Sequence, residues 1–95
     1  MILHIVNRSP FTHSALQQSL QALGDEDSII LIEDAVLLLS SPANTATLPP
    51  GDRLYVLQSD CEARGVTLNT EVATPADYAR FVELVAQHSR TVSWF

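Results

Sequence analysis

Strands alternating with helices predict an α/β fold for this chain: a single domain over residues 1–95, with three α/β/α layers around a mostly parallel sheet of about five strands. Three observations carry this. The runs Ile2–Val6, Ser28–Ile32 and Leu54–Leu57 are almost wholly aliphatic, as expected of strands buried on both faces. Between them lie segments whose apolar residues recur at three and four positions, the helical spacing. Each strand also stops at a polar break: Asn7-Arg8-Ser9-Pro10, Glu33-Asp34 and Gln58 to Cys61. Loops at the carboxyl ends of parallel strands form the functional edge of such a sheet.

Taken in order, Ile2–Val6 is strand one, with His4 inside it. Pro10 fixes its own backbone and pushes Ser9 toward an extended conformation, leaving Ser9 or Thr12 to cap the next helix. That helix runs from Thr12 to Leu23, with Ala15, Leu16, Leu20 and Leu23 on one face and Gly24 as its stop. Ser28–Ile32 is strand two. Ala35–Leu39 reads as a short helix capped by Asp34. Ser40 to Asp52, with Pro42, Pro49, Pro50 and Gly51, is a loop. Leu54–Leu57 is strand three. A short helix begins at Ser59 or Asp60 and stops at Gly65, and Thr67–Val72 reads as strand four. Thr74 as cap and Pro75 at the first position open a helix whose apolar face is Tyr78, Phe81, Val82 and Val85. Thr91–Phe95 closes the sheet.

Charge excludes some functions. The five basic residues are all arginines, against eleven acids, for a net charge of -6. No basic cluster exists to contact phosphates, so direct nucleic-acid binding is not expected. No apolar block is long enough to span a bilayer: Ile29 to Leu39 is the longest and is broken by Glu33-Asp34. The expectation is a cytoplasmic protein with no signal peptide and no membrane contact. A single cysteine, Cys61, allows no internal disulfide. With 46% hydrophobic and 17% charged residues, much of the exterior is uncharged, which suits a chain covered by protein partners.

The order Leu3-His4-x-Val6-Asn7-Arg8-Ser9-Pro10-Phe11, Glu33-Asp34-Ala35-Val36, Leu54-Tyr55-Val56-Leu57, Ala63-Arg64-Gly65, Asp77-Tyr78 with Phe81-Val82, and a final Trp94 resembles the TusB/DsrH family across almost the whole chain. The resemblance implies a DsrE/F/H-like fold and a subunit of a TusBCD-type sulfur-relay complex, or of the related DsrEFH assembly. The former passes persulfide sulfur toward 2-thiouridine at the tRNA wobble position. It also implies TusC-like and TusD-like partner subunits, a TusE-like downstream acceptor, and a heterohexamer built as a dimer of heterotrimers. Some DsrH-type members carry a cysteine eight residues after the phenylalanine of the Ser-Pro-Phe motif; counting from Phe11 gives Ser19 here. Serine forms no persulfide, so the chain resembles the branch whose acceptor cysteine lies in the TusD-type subunit.

Cys61 is the one candidate catalytic residue. A helix N-terminus after strand three would lower its thiol pKa, and DsrE-like subunits place their acceptor cysteine at a similar junction. Against this, Asp60 and Glu62 flank it, and cysteine is among the most often buried residues. The favoured reading is a structural Cys61 in a non-catalytic subunit; the alternative is an independent thiol carrier or small sulfurtransferase acting through it. Glu33-Asp34 serve capping and partner contacts before acid–base work, and Arg8 an ion pair before an anion site. His4, His13 and His88 are too scattered for metal, and no glycine-rich phosphate loop or cofactor motif is present. His4 is expected to be a packing residue, bonded through a ring nitrogen within the region from strand one to Ser9. Tyr78, Phe81 and Trp94 are expected to pack on the sheet or a neighbouring subunit, with Trp94 in or just behind a partner contact.

Overall fold

In the computed structural model, which describes residues 1–40 and 48–95, five parallel strands form one sheet in the order β4-β3-β2-β1-β5. The strands are β1 (Ile2–Val6), β2 (Ser28–Leu31), β3 (Leu54–Leu57), β4 (Thr74–Ala76) and β5 (Arg90–Trp94). The helices are α1 (Ala15–Ala22), α2 (Gln58–Ala63) and α3 (Tyr78–Gln87), with a 3-10 helix over Glu33–Ser40. The first four strands step across the sheet in one direction, and the return from β4 to β5 runs the other way. With crossovers of constant hand, that reversal puts α3 on the opposite face from α1, the 3-10 helix and α2.

Two apolar clusters follow from this layering. The larger gathers Val6, Leu16, Ile29, Leu31, Val36, Leu38, Leu54, Val56 and Cys61 beneath α1, the 3-10 helix and α2. The smaller holds Leu3, Ile30, Ala76 and Leu84 beneath α3, with Ile5, Ile32, Tyr55 and Phe81 half-buried at its margin. Residues of β2 are buried on both faces, which is why that strand reads as aliphatic after Ser28. In register, His4 pairs with Ile29 on one side and Val92 on the other.

Several expected elements shift. Residues 67–72 form no strand. Asn69 Oδ1 accepts from the Glu71 N–H at 3.1 Å, and Asn69 O accepts from the Val72 and Ala73 N–H groups. An Asn side chain that organises a turn in this way competes with strand pairing. The fourth strand is Thr74–Ala76, where a helix start is expected. Pro75 sits on an edge strand, the place in a sheet that tolerates a missing N–H. Helix α3 therefore begins at Tyr78, capped by Asp77 Oδ1, which accepts from the Arg80 N–H at 2.7 Å.

Helix α1 starts later than Thr12, after a turn in which Ser9 O accepts from the Thr12 and His13 N–H groups. Ser14 is its N-cap residue and makes no side-chain cap bond. Asp34 does not cap the following turn; it pairs with Arg64. The apolar face read on α3 is also corrected: Leu84 is its buried residue and Phe81 is half-buried, while Tyr78, Val82 and Val85 are exposed. The closing strand begins one residue earlier than expected, at Arg90. Of the loop from Ser40 to Asp52, the stretch with Pro42 lies outside the described residues; beyond it, Pro50 O accepts from the Arg53 N–H.

Candidate functional site: a buried polar chain and the carboxyl edge of the sheet

His4 is 2% exposed, and both ring nitrogens are bonded. Trp94 Nε1 lies 3.0 Å from His4 Nδ1, and an indole nitrogen can only donate. Nδ1 is therefore the acceptor, and the ring proton sits on Nε2, which donates to Asp27 Oδ2 at 3.0 Å. Asp27 also accepts from the Ile2 N–H at 2.9 Å and the Gly24 N–H at 2.9 Å. The His4 and Trp94 ring planes lie 22° apart, close to the coplanar edge-to-edge arrangement that an N–H···N bond between two rings requires. His4 thus bonds to the loop before β2 and to β5. This corrects the bond expected within the region from strand one to Ser9: Ser9 faces its own turn and accepts from the Phe11 N–H.

Local sequence builds this chain of contacts. Gly24 ends α1, and Asp27 closes the tight turn through its own N–H, which donates to Gly24 O at 3.1 Å. That turn sets the carboxylate beside the first residues of β1. Burial alone would raise the Asp27 pKa; the bonds from His4, Gly24 and Ile2 outweigh it and hold the group at about 2, below its ordinary 3.8. A carboxyl depressed on folding stabilises the fold above its unfolded pKa and loses that contribution as pH falls through the folded value. Stability is therefore expected to drop by about 2 kcal/mol between about pH 5 and pH 2 on this account. Urea titrations across that range check it, with Asp27→Asn expected to lose this component of the slope. An Asp27→Asn variant with the wild-type pH dependence would contradict the assignment.

Cys61 is wholly buried in the larger cluster, four residues into α2. Burial pushes its thiol up, and the Asp60 carboxylate adds to this more than Arg64 offsets. Thiolate is the reactive form, so this environment suppresses the chemistry that a cysteine near a helix start would otherwise have. Ser19 is buried on α1, where its Oγ donates to Leu16 O at 2.7 Å.

The carboxyl edge does bring the polar breaks together. The Glu33 N–H donates to Asp60 Oδ2 at 2.6 Å, fixing the end of β2 against α2. Glu33 has a φ of 49°, the left-handed region that a residue with a Cβ rarely adopts. Arg64 Nε donates to Asp34 Oδ1 at 2.9 Å, and its Nη1 lies 3.8 Å from Asp60 Oδ1. This arrangement ties the loops after β2 and β3 together and engages the arginine that lies between them. Glu33 and Asp34 are not paired with each other as an acid and a base would be. The helices that follow β3 and β4 leave to opposite faces of the sheet. Gln58 and Ser59 begin α2, and neither carries a nucleophilic sulfur.

The remaining candidates are dispersed. His13 Nδ1 bonds Thr12 Oγ1, and His88 Nδ1 bonds Leu84 O. Among the described residues no three metal-ligating side chains converge, and Arg8 is exposed and in no ion pair. A shallow pocket beside α1 is lined by Pro10, His13, Leu16, Gln17, Leu38 and Leu48, with no charged side chain among them. Tyr78 is exposed, Phe81 borders the smaller cluster, and Trp94 borders the larger. The partner that the sequence reading missed is Asp27. Its one signal is position: it closes a Gly-initiated turn two residues before Ile29, which pairs with His4.

The family described as DsrH like protein matches residues 8–91. Protein TusB of Pectobacterium parmentieri is 33% identical over 97 residues, covering 98% of this chain and all of that one. Protein TusB of Yersinia pestis (strain Pestoides F) and of Yersinia pseudotuberculosis serotype O:1b (strain IP 31758) are each 31% identical over 96 residues, with 98% of this chain and all of theirs covered. The alternating strands, the motif order from Leu3 to Trp94 and these matches agree: the chain belongs to the TusB/DsrH family.

Proposed function

We propose that this chain is a non-catalytic structural subunit of a heteromeric sulfur-relay complex of the TusBCD type, passing persulfide sulfur toward 2-thiouridine at the tRNA wobble position. Membership of the TusB/DsrH family supports the relay, and the burial of Cys61 supports the non-catalytic role. Sulfur transfer needs a thiolate that a second thiol or persulfide can reach. The only cysteine of the sequence is enclosed by the larger cluster and flanked by acids. An independent carrier acting through Cys61 would need α2 to lift off the sheet at every transfer.

In this reading the sulfur-bearing cysteine belongs to a TusD-like subunit, a TusC-like subunit completes the heterotrimer, and a TusE-like protein takes the sulfur onward. Two heterotrimers form the hexamer, in the cytoplasm where tRNA is thiolated. The uncharged part of this chain's exterior is then interface rather than free surface. Native mass of the chain made alone and together with its TusC-like and TusD-like partners tests the assembly. Stable co-assembly is expected; a chain that stays apart from both while accepting persulfide label itself would overturn the reading.

A further inference from the structure

One buried titratable group takes no part in the proposed relay. It is His4, whose Nε2–H donates to Asp27 and whose Nδ1 accepts from Trp94. The two bonds differ in what they tolerate. A proton added to the ring must go to Nδ1, because Nε2 already carries one. The bond to Asp27 survives that step and becomes an ion pair. The bond from Trp94 does not. The indole nitrogen can only donate, so two N–H groups would then point at each other. A buried N–H left without an acceptor is costly, and one of the two groups must move.

The surroundings of the ring isolate this event. β2 sets Ile29 beside His4, and β5 sets Val92 there. Helix α1 carries no charged residue. In the turn before β2, Asp27 faces the ring, while Asp25 and Glu26 are exposed. Arg53 donates to Asp25 O, and Arg90 is exposed at the start of β5, in register with Ile2. Met1, which carries the amino group, is exposed before β1. Asp27 titrates at about 2 and stays ionised well above that, whereas imidazole is the side chain whose charge changes near neutrality. β5 itself is an edge strand paired only with β1. Its start is pinned, because the Ser89 N–H and Oγ both donate to Met1 O. At its other end Trp94 is the penultimate residue, half-buried, and Phe95 beyond it is exposed. A chain end frays unless it is tied down. Here the tie is the indole, by its packing on the larger cluster and its bond to His4.

We propose that His4 and Trp94 form a proton-operated latch on the end of β5. With the ring neutral, the indole is held against the larger cluster. A proton on Nδ1 drives the indole outward and frees Ser93–Phe95, while Arg90–Val92 stays paired to β1. The proton comes from solvent and ends on Nδ1, Nε2 keeps its own, and the ion pair with Asp27 replaces the lost bond. The indole is the group that moves, because His4 is held inside β1 between two strands and Trp94 stands next to a free end. The same geometry gives the proton its path. The Nε2 side is closed by Asp27, and the Nδ1 side is closed only by a half-buried residue at the sheet edge. The latch goes beyond the subunit reading and does not depend on it.

Trp94 is the only tryptophan of the sequence, so its fluorescence reports the latch directly. The full chain is titrated from about pH 8 to about pH 5, with far-ultraviolet circular dichroism recorded at each point. The ring hydrogens of His4 are followed by NMR in a chain carrying His13→Gln and His88→Gln, which leaves one imidazole. The emission maximum is expected to move reversibly to longer wavelength, with the midpoint of the His4 ring signals and with the dichroism unchanged. Trp94→Phe lacks the donor that competes for Nδ1, so it is expected to move the His4 ring titration to higher pH. An emission maximum that stays fixed while the His4 ring titrates overturns the proposal, since the indole then tolerates the proton. So does a His4 ring that does not titrate in this range, or one whose titration is the same in Trp94→Phe. Emission and dichroism changing together would mark unfolding of the whole chain and overturn it as well.

Discussion

Replacing Asp27 with alanine is expected to lower stability by about 3–4 kcal/mol, more than any single change at the carboxyl edge. The carboxylate serves three donors at once: the Ile2 N–H, the Gly24 N–H and His4 Nε2. Its removal leaves the buried imidazole proton without an acceptor, and two backbone groups must find water. In a domain of this size that corresponds to a fall of roughly 15–25 °C in melting temperature. Asp27→Asn keeps one oxygen and should lose less. Denaturant titration at neutral pH checks both variants; an Asp27→Ala chain within about 1 kcal/mol of wild type would show that the buried chain is not a major support.

Trp94→Ala is expected to cost about 3 kcal/mol. The indole borders the larger cluster and supplies the hydrogen bond to His4 Nδ1. Trp94→Phe keeps most of the packing and loses that bond, so its cost should be nearer 1 kcal/mol. Equal losses for the two variants, measured by the same titration, would mean that the N–H bond, rather than packing, dominates. The side chain thus faces the interior of β5, and a truncation starting at Ser93 removes a core group along with any surface contact. Phe95 is the exposed aromatic at this end of the strand.

What could be read from the residues depended on how local the determining interaction is. The three aliphatic strands were legible because burial on both faces leaves few polar positions in them, His4 and Ser28 among them. The fourth was not: a three-residue edge strand containing proline carries the same local signals as a capped helix start. On α3 the apolar positions were legible but their direction was not, since two apolar sides were available and only tertiary packing chose Leu84 for the core. His4 was recognisable as a packing residue, yet its partners lie 23 and 90 positions away and meet it only through strand order. Cys61 shows the same limit from the other side. A strand-to-helix junction suggests activation, and only packing decides whether the thiol points to solvent or to the core.

The central claim is that this subunit carries no sulfur, and Cys61→Ser tests it most directly. Serine nearly preserves the volume, and burying its hydroxyl costs about 1–2 kcal/mol. The decisive measurement is wobble-uridine 2-thiolation in cells whose only copy of the chain is the Cys61→Ser form, with protein abundance and complex assembly measured alongside. Thiolation close to wild type is expected. Loss of thiolation with normal abundance and intact assembly would make Cys61 a sulfur carrier and contradict it.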